Sequence, residues 1–192
     1  EIIDDVRQNG GQAVLTSNQH KTGTDRIHEA LDKHGSSNID LVMNLQGDEP
    51  LIDIKDIKKL NNQMIRYNSK LGTLASKILS KETYLNQNIV KVITKENLDN
   101  LNFPQAINFT RKTLNRDENI YQHLGIYCYQ LETLKKFVSL DQSPNEINSK
   151  LEQLRALDNS IDINVSLSKS SSIGVDTEED FVAIKKIMEY KS

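Results

Sequence analysis

Residues 40–50 read Asp-Leu-Val-Met-Asn-Leu-Gln-Gly-Asp-Glu-Pro, a short apolar run that empties into a polar turn. Asp40–Leu45 has the length and composition of a buried strand, and Gln46-Gly47-Asp48-Glu49-Pro50 follows it as a turn. Asp53 then caps a long helix that sets Ile54, Ile57, Leu60 and Met64 on one face. Strand, polar turn and amphipathic helix in that order form the repeating step of an α/β layered fold.

The pattern continues in both directions. Upstream, Ile2, Ile3 and Val6 mark the end of a helix stopped by Gly10-Gly11. Gln12–Thr16 reads as a strand, and a helix runs from Asp25 to Lys33 and ends near Gly35. Downstream, strands are expected at Leu71–Ile78, Ile89–Thr94, Ala106–Thr110 and Gly125–Tyr129, then a helix at Leu131–Ser139. Ser143-Pro144-Asn145-Glu146 supplies a cap, a proline at the first helical position and an acceptor at the third. Ile161, Ile163, Val165 and Leu167 alternate with polar residues, as in a half-buried strand. The Ser-rich stretch Ser168–Ser172 leads to Gly174-Val175-Asp176, and Thr177 caps a last helix whose Phe181, Ile184 and Met188 are expected to face inward. Residues 1–192 read as one domain without repeat or linker. Because the chain opens inside a helix rather than on a central strand, something is expected to precede it.

Composition narrows the function classes. The 192 residues suit a single domain with a substantial core. Apolar residues make up 36% and charged residues 27%, both signs scattered, which is a globular pattern and not a disordered one. A net charge of −3 without a basic stripe speaks against a nucleic-acid partner. Runs such as Ile126–Tyr129 are far shorter than the about 20 apolar residues that span a bilayer, so no membrane partner is expected. The lone Cys128 cannot form an internal disulfide, which suits a reducing cytoplasm.

Asp48 lies just past the carboxyl end of an apolar strand, where open α/β sheets place their ligands. Its carboxylate could hold Mg²⁺, which prefers oxygen ligands, or serve an ordinary turn. Asp176 also follows a strand and precedes a helix; metal binding and compensation of the helix dipole both fit it. Two carboxylates at adjacent strand ends would repel unless a cation lay between them. In His20–Arg26, backbone amides and hydroxyls can read a base edge or cradle an anion, or simply start a capped helix. Arg111 and Arg155 could grip a carboxylate through paired N–H groups, or act as surface ion-pair partners. His28 and His34 read as structural or solvated, and Cys128 as packing. No P-loop, hydrolase elbow or zinc spacing occurs.

Taken together, HKTGTDR (20–26), LQGDEP (45–50), NIVKV (88–92), FTR (109–111), HLGIY (123–127), Ser143-Pro144, LEQLR (151–155) and GVDT (174–177) resemble, in order, the signature of the CMP-Kdo synthetases. These are the 3-deoxy-manno-octulosonate cytidylyltransferases. The resemblance implies a nucleotide-diphospho-sugar transferase fold, Rossmann-like, with a mixed sheet flanked by helices. It implies a homodimer, with a small dimerisation and sugar-binding lobe within about 104–160. The implied reaction joins CTP and 3-deoxy-D-manno-octulosonate (Kdo) to give CMP-Kdo and pyrophosphate for lipopolysaccharide assembly. The anomeric hydroxyl would attack the α-phosphorus in line. By motif, Asp48 and Asp176 would bind Mg²⁺, and Thr22, Gly23 and Arg26 would surround the cytosine. Gln46, Arg111, His123, Tyr127, Glu152 and Gln153 would line the sugar-acid pocket, with Arg111 catalytic beside the metal pair.

The sequence departs from the family at several points. Thr22 and Thr110 stand where the family usually has Ser, Lys112–Asn115 lacks the usual proline, and Asn148-Ser149-Lys150 lacks the usual acidic pattern. The family's opening strand and its Arg/Lys-rich phosphate loop do not occur in these residues. The expectation is therefore a sheet lacking its first strands, and a fragment that is inactive alone. Cytidylyl transfer to another sugar acid, such as an 8-amino Kdo or sialic acid, and a non-catalytic remnant are the competing readings.

Overall fold

In chain order the elements are α1 (Ile2–Gln8), α2 (Gly23–His34), β1 (Leu41–Asn44), α3 (Ile54–Tyr67), β2 (Leu71–Ser76), α4 (Lys81–Leu85), β3 (Lys91–Thr94) and β4 (Ala106–Thr110). They continue with β5 (Ile120–Gln130), α5 (Leu131–Val138), α6 (Pro144–Ser149), α7 (Leu154–Asp158), β6 (Ile163–Leu167) and α8 (Glu178–Glu189). The computed structural model describes residues 1–113, 118–169, 175 and 177–189.

All six strands join one mixed sheet in the order β4-β3-β5-β2-β6, with β1 also paired to β5. β5 runs antiparallel to β1, β2 and β3, whereas β2 and β6 are parallel. β1, β2, β3 and β6 therefore point the same way. β2 fills one edge of β5, and β1 and β3 divide the other: β3 takes Ile120–Gln122 and β1 takes Tyr127–Gln130.

The strands form where they do because both faces of the sheet are covered. All six residues of β2 are buried, as expected of a strand between two helical layers. On one face Leu60 and Met64 of α3 pack with Leu74, Phe103, Leu124, Ile126 and Cys128. Gly72 permits that approach: a Cβ there would lie 2.6 Å from Met64 Sδ and 2.8 Å from Phe103 Cζ. On the other face Leu31 of α2, Leu134 and Phe137 of α5, and Leu154 and Ala156 of α7 meet Val92, Phe109, Tyr127 and Tyr129. Local signals fix the helix starts. Asp53 accepts from Lys55 N–H at the head of α3, and Ser143 and Glu146 close a full capping box on α6.

Four expectations need correction. Gln12–Thr16 is not a strand; a ladder needs a neighbour, and these residues are held instead by α2, through Lys33 on the Leu15 carbonyl and Arg26 on Thr16. β5 begins at Ile120, well before Gly125, because β3 pairs with its first residues. β6 is more than half buried: on its polar side Ser166 is buried and Asn164 partly so, and its outer edge is taken by Val165 N–H bonding the Pro104 carbonyl. In α8 Ile184 is buried, but Phe181 and Met188 are half exposed.

Candidate active site

On the edge that β3 and β1 share, residues 123–126 of β5 lie between the stretches those two strands occupy, while β2 runs along the other edge. The turn after β1 brings the Gln46 side chain against this stretch. The Gln46 amide lies over Gly125, where an added Cβ would stand 3.2 Å from Gln46 Nε2. Glycine at 125 thus lets the turn seat against the sheet. Glu49 N–H returns to the Gln46 carbonyl, which closes the turn. Gly47 has no positive φ and open space where its side chain would be, so the turn itself does not demand glycine there.

His123 and Tyr127 flank Gly125 on the helical face that carries α2, α5 and α7. The His123 ring meets Phe109 edge-on at 5.0 Å and Tyr127 at 5.5 Å, and the aromatic row continues through Tyr129 to Phe137. His123 Nε2 lies 2.9 Å from the Thr73 hydroxyl. Burial drops the imidazole pKa to about 3, so His123 is neutral at physiological pH. Burial also pushes the Tyr127 and Tyr129 phenols up, and the Cys128 thiol up to about 12. Cys128 is therefore a packing residue on the α3 face, as the sequence suggests.

Glu152 and Gln153 immediately precede α7, facing the start of α2. Thr22 caps α2 by accepting from Asp25 N–H, and Thr24 is buried behind it. Burial raises the Glu152 carboxyl above its usual pKa, against the Thr24 and Thr22 hydroxyls and Arg155. Its Oε1 is buried with no hydrogen-bond partner among the described residues. Gly23 has open space where a Cβ would be.

Arg111 follows β4, whose last residue, Thr110, pairs with Lys91 of β3. Its guanidinium donates to the Asn88 carbonyl at 2.7 Å. The fully buried Lys91 donates to the carbonyls of Asn86 and Arg111, at 2.6 and 3.2 Å. Burial, then the neighbouring Arg111 charge, lowers the Lys91 pKa. Neither cation has a carboxylate within salt-bridge distance among the described residues. The level of this pair is that of His123, whose N–H bonds the Val90 carbonyl.

Asp48 is exposed at the tip of the β1 turn, and its carbonyl accepts from Val175 N–H at 2.9 Å. Asp176 lies outside the described residues, as does Gly174. The strands that lead to these two acids are not adjacent, contrary to expectation: β5 and β2 separate β1 from β6, about 14 Å at ordinary strand spacing. The chain has nevertheless returned to the β1 turn by Val175. Asp56 anchors the carboxyl end of β6, accepting from Ser168 Oγ and Lys169 N–H.

Arg155 departs from the sequence reading. Arg155 is 2% exposed and its guanidinium makes paired bonds to Glu146, 2.9 and 2.6 Å long, while stacking 4.6 Å from the Phe137 ring centre. It is a buried brace between α6 and α7 and has no grip to offer a ligand carboxylate. Arg26 spends one guanidinium nitrogen on Thr16 and the Ser17 carbonyl. Next to it Glu29 takes Lys33, Ser17 N–H and His20, bonds that hold its pKa down at about 2. His28 faces Asp32 at 3.4 Å, in keeping with a structural role. Thr73, Thr24 and Tyr129 have no site role in the sequence reading, although Thr24 lies within His20–Arg26, because their partners come from distant strands and helices.

Comparison with known proteins bears on the family and the fold. A cytidylyltransferase family model matches residues 1–163. The 3-deoxy-manno-octulosonate cytidylyltransferase of Thermodesulfovibrio yellowstonii (strain ATCC 51303 / DSM 11347 / YP87) is 41% identical over 97% of this chain and 77% of its own length. That of Brucella canis (strain ATCC 23365 / NCTC 10854 / RM-666) is 38% identical over 94% of this chain and 72% of its own. A solved CMP:2-keto-3-deoxy-manno-octonic acid synthetase complexed with CTP superposes with a TM-score of 0.87 at 29% identity, covering 100% of this chain and 78% of that one. Its fold is thus the mixed-sheet nucleotide-diphospho-sugar transferase fold that the motifs imply. The chain belongs to the cytidylyltransferase family, among the 3-deoxy-manno-octulosonate cytidylyltransferases.

Proposed function

We propose that the protein transfers CMP from CTP to Kdo, giving CMP-Kdo and pyrophosphate. The observation that carries this reading is the row along β5: the Gln46 amide laid over Gly125, with His123 and Tyr127 on either side. The row offers neutral hydrogen-bonding groups and aromatic rings, which suit a polyhydroxylated sugar. Arg111 and Lys91, cations at the same level without a carboxylate partner among the described residues, suit the sugar's acid group: Arg111 by direct contact, Lys91 by fixing the Arg111 backbone. Glu152, whose buried Oε1 has no partner among the described residues, and Gln153 would close the sugar side. Thr22, Gly23 and Arg26, at the start of α2, would surround the cytosine.

Asp48 and Asp176 would hold Mg²⁺. An exposed carboxylate on a turn tied down by Val175 N–H has the hard oxygen donors that this ion takes. When bound, the ion supplies charge neutralisation at the triphosphate. The chain's own contribution is positioning, with the sugar hydroxyl aligned in line with the α-phosphorus and water kept from the aromatic row. A cytoplasmic setting, with its nucleotide pool, goes with this reading; among the described residues no helix is long and apolar enough to cross a membrane. We further propose a homodimer, to which the exposed Ile107 on edge strand β4 would contribute.

The test is release of pyrophosphate from CTP by the purified full-length gene product, offered Kdo, 8-amino Kdo and sialic acid in parallel with Mg²⁺. Turnover at least tenfold faster with Kdo supports the reading. Preference for another acid, or none with any, rejects it.

A further inference from the structure

Strand β5 carries two more residues than β2 between their paired positions: Thr73 faces Tyr127, but Leu74 faces Leu124. Such a bulge leaves carbonyls without ladder donors. The Thr73 side chain, fully buried, fills the gap. Its hydroxyl lies 2.7 Å from the Ile126 carbonyl and 3.3 Å from the Leu124 carbonyl, and 2.9 Å from His123 Nε2. A hydroxyl has one proton. Both carbonyls can only accept, and the shorter distance assigns the proton to Ile126. What Thr73 turns toward the imidazole is therefore a lone pair, and Nε2 must donate.

We propose that Thr73 is a positioning residue that holds His123 as its Nε2–H tautomer, leaving Nδ1 as the acceptor for a hydroxyl of the bound sugar acid. Nδ1 has no hydrogen-bond partner among the described residues. The rings of Phe109 and Tyr127 fix the imidazole plane, so tautomer and direction are set together. The logic is that of an orienting partner behind a histidine, supplied here by a backbone bulge and a hydroxyl in place of a carboxylate. A carboxylate there would favour the imidazolium; a hydroxyl committed to a carbonyl does not. The sugar-acid part of the inference rests on the function proposed above, whereas the tautomer does not.

The experiment is long-range ¹H–¹⁵N NMR of the ¹⁵N-histidine-labelled protein, with and without saturating Kdo, beside steady-state kinetics. The His123 signals are expected to show protonated Nε2 and bare Nδ1, with Nδ1 and not Nε2 shifting when Kdo is added. Thr73→Val should give mixed or reversed tautomers with an unchanged backbone amide spectrum and a KM for Kdo raised about tenfold, that for CTP staying within twofold. Thr73→Ser should restore both. A wild-type signature of protonated Nδ1 overturns the proposal even where the valine variant does not fold. So does a valine variant with wild-type signature and KM. A correct tautomer with no Nδ1 response to Kdo overturns the acceptor role. A correct tautomer with Nδ1 responding, but no pyrophosphate release from CTP, counts instead against the proposed function.

Discussion

The amide of Val175 donates to the carbonyl of Asp48 at 2.9 Å, joining the turn after β1 to a segment that follows β6 although two strands lie between β1 and β6. One metal-binding candidate is thus backed by the chain that carries the other. On this reading Asp48→Asn removes the charge that the ion needs while keeping the carbonyl that Val175 uses. Turnover is expected to fall at least about a hundredfold, since metal charge stabilisation is worth several kcal/mol. The melting temperature should stay within about 2 °C, as for most exposed substitutions. Pyrophosphate release and a thermal melt on the same sample check both halves; a variant within tenfold of wild type removes Asp48 from the metal site.

Arg155 and Glu146 form a buried ion pair with two bonds, so removing one partner strands the other. Arg155→Met and Glu146→Gln are each expected to cost about 3–5 kcal/mol. The double variant should lose clearly less than the sum. Urea titration of the four proteins gives the coupling energy, and simple additivity would show that the pair contributes nothing beyond its packing.

His123 gives a pH signature. Its folded pKa of about 3 lies below the ordinary 6.5, so the unfolded chain takes up a proton that the fold refuses. Stability from this group is complete above about pH 6.5 and is lost as pH falls toward 3, up to about 2 kcal/mol by pH 5. Melts at pH 7 and pH 5 should show a larger drop for wild type than for His123→Gln. Equal drops would mean that the imidazole is already solvated in the fold.

Two glycines separate packing from site chemistry. Gly72→Ala drives a Cβ into Met64 and Phe103, an overpacking expected to cost about 1–3 kcal/mol in a denaturant titration. Gly125→Ala meets only the Gln46 amide, at 3.2 Å. It should leave stability within about 1 kcal/mol while raising KM for Kdo severalfold. The reverse pattern would make the Gln46 turn a structural element and take it out of the proposed sugar pocket.

Much of this was legible in the residues. The helix starts at Asp53 and Ser143 follow from side chains bonding amides two or three positions away, and the apolar runs of β2 and β3 from burial on both faces. The ordered motifs from His20–Arg26 to Gly174–Thr177 carry the family by resemblance, as a set in sequence and not one by one. Gln12–Thr16 has strand-like residues but pairs with no strand among the described residues, and pairing is not a property of a segment. Arg155 looks like a free cation in LEQLR, and only the path of α6 brings Glu146 to it.

Local chemistry in the chain determined the class of fold, the helix caps and the acids and hydroxyls available to a nucleotide enzyme, since caps and periodicity act over a few residues. The tertiary structure alone decided that residues 123–126 of β5 fall between the stretches of β1 and β3, that the Gln46 side chain comes against Gly125, that Thr73 reaches His123 across a bulge, and that Val175 returns to Asp48. Those relationships join residues tens of positions apart, and they exist only once register, twist and side-chain packing have been settled together.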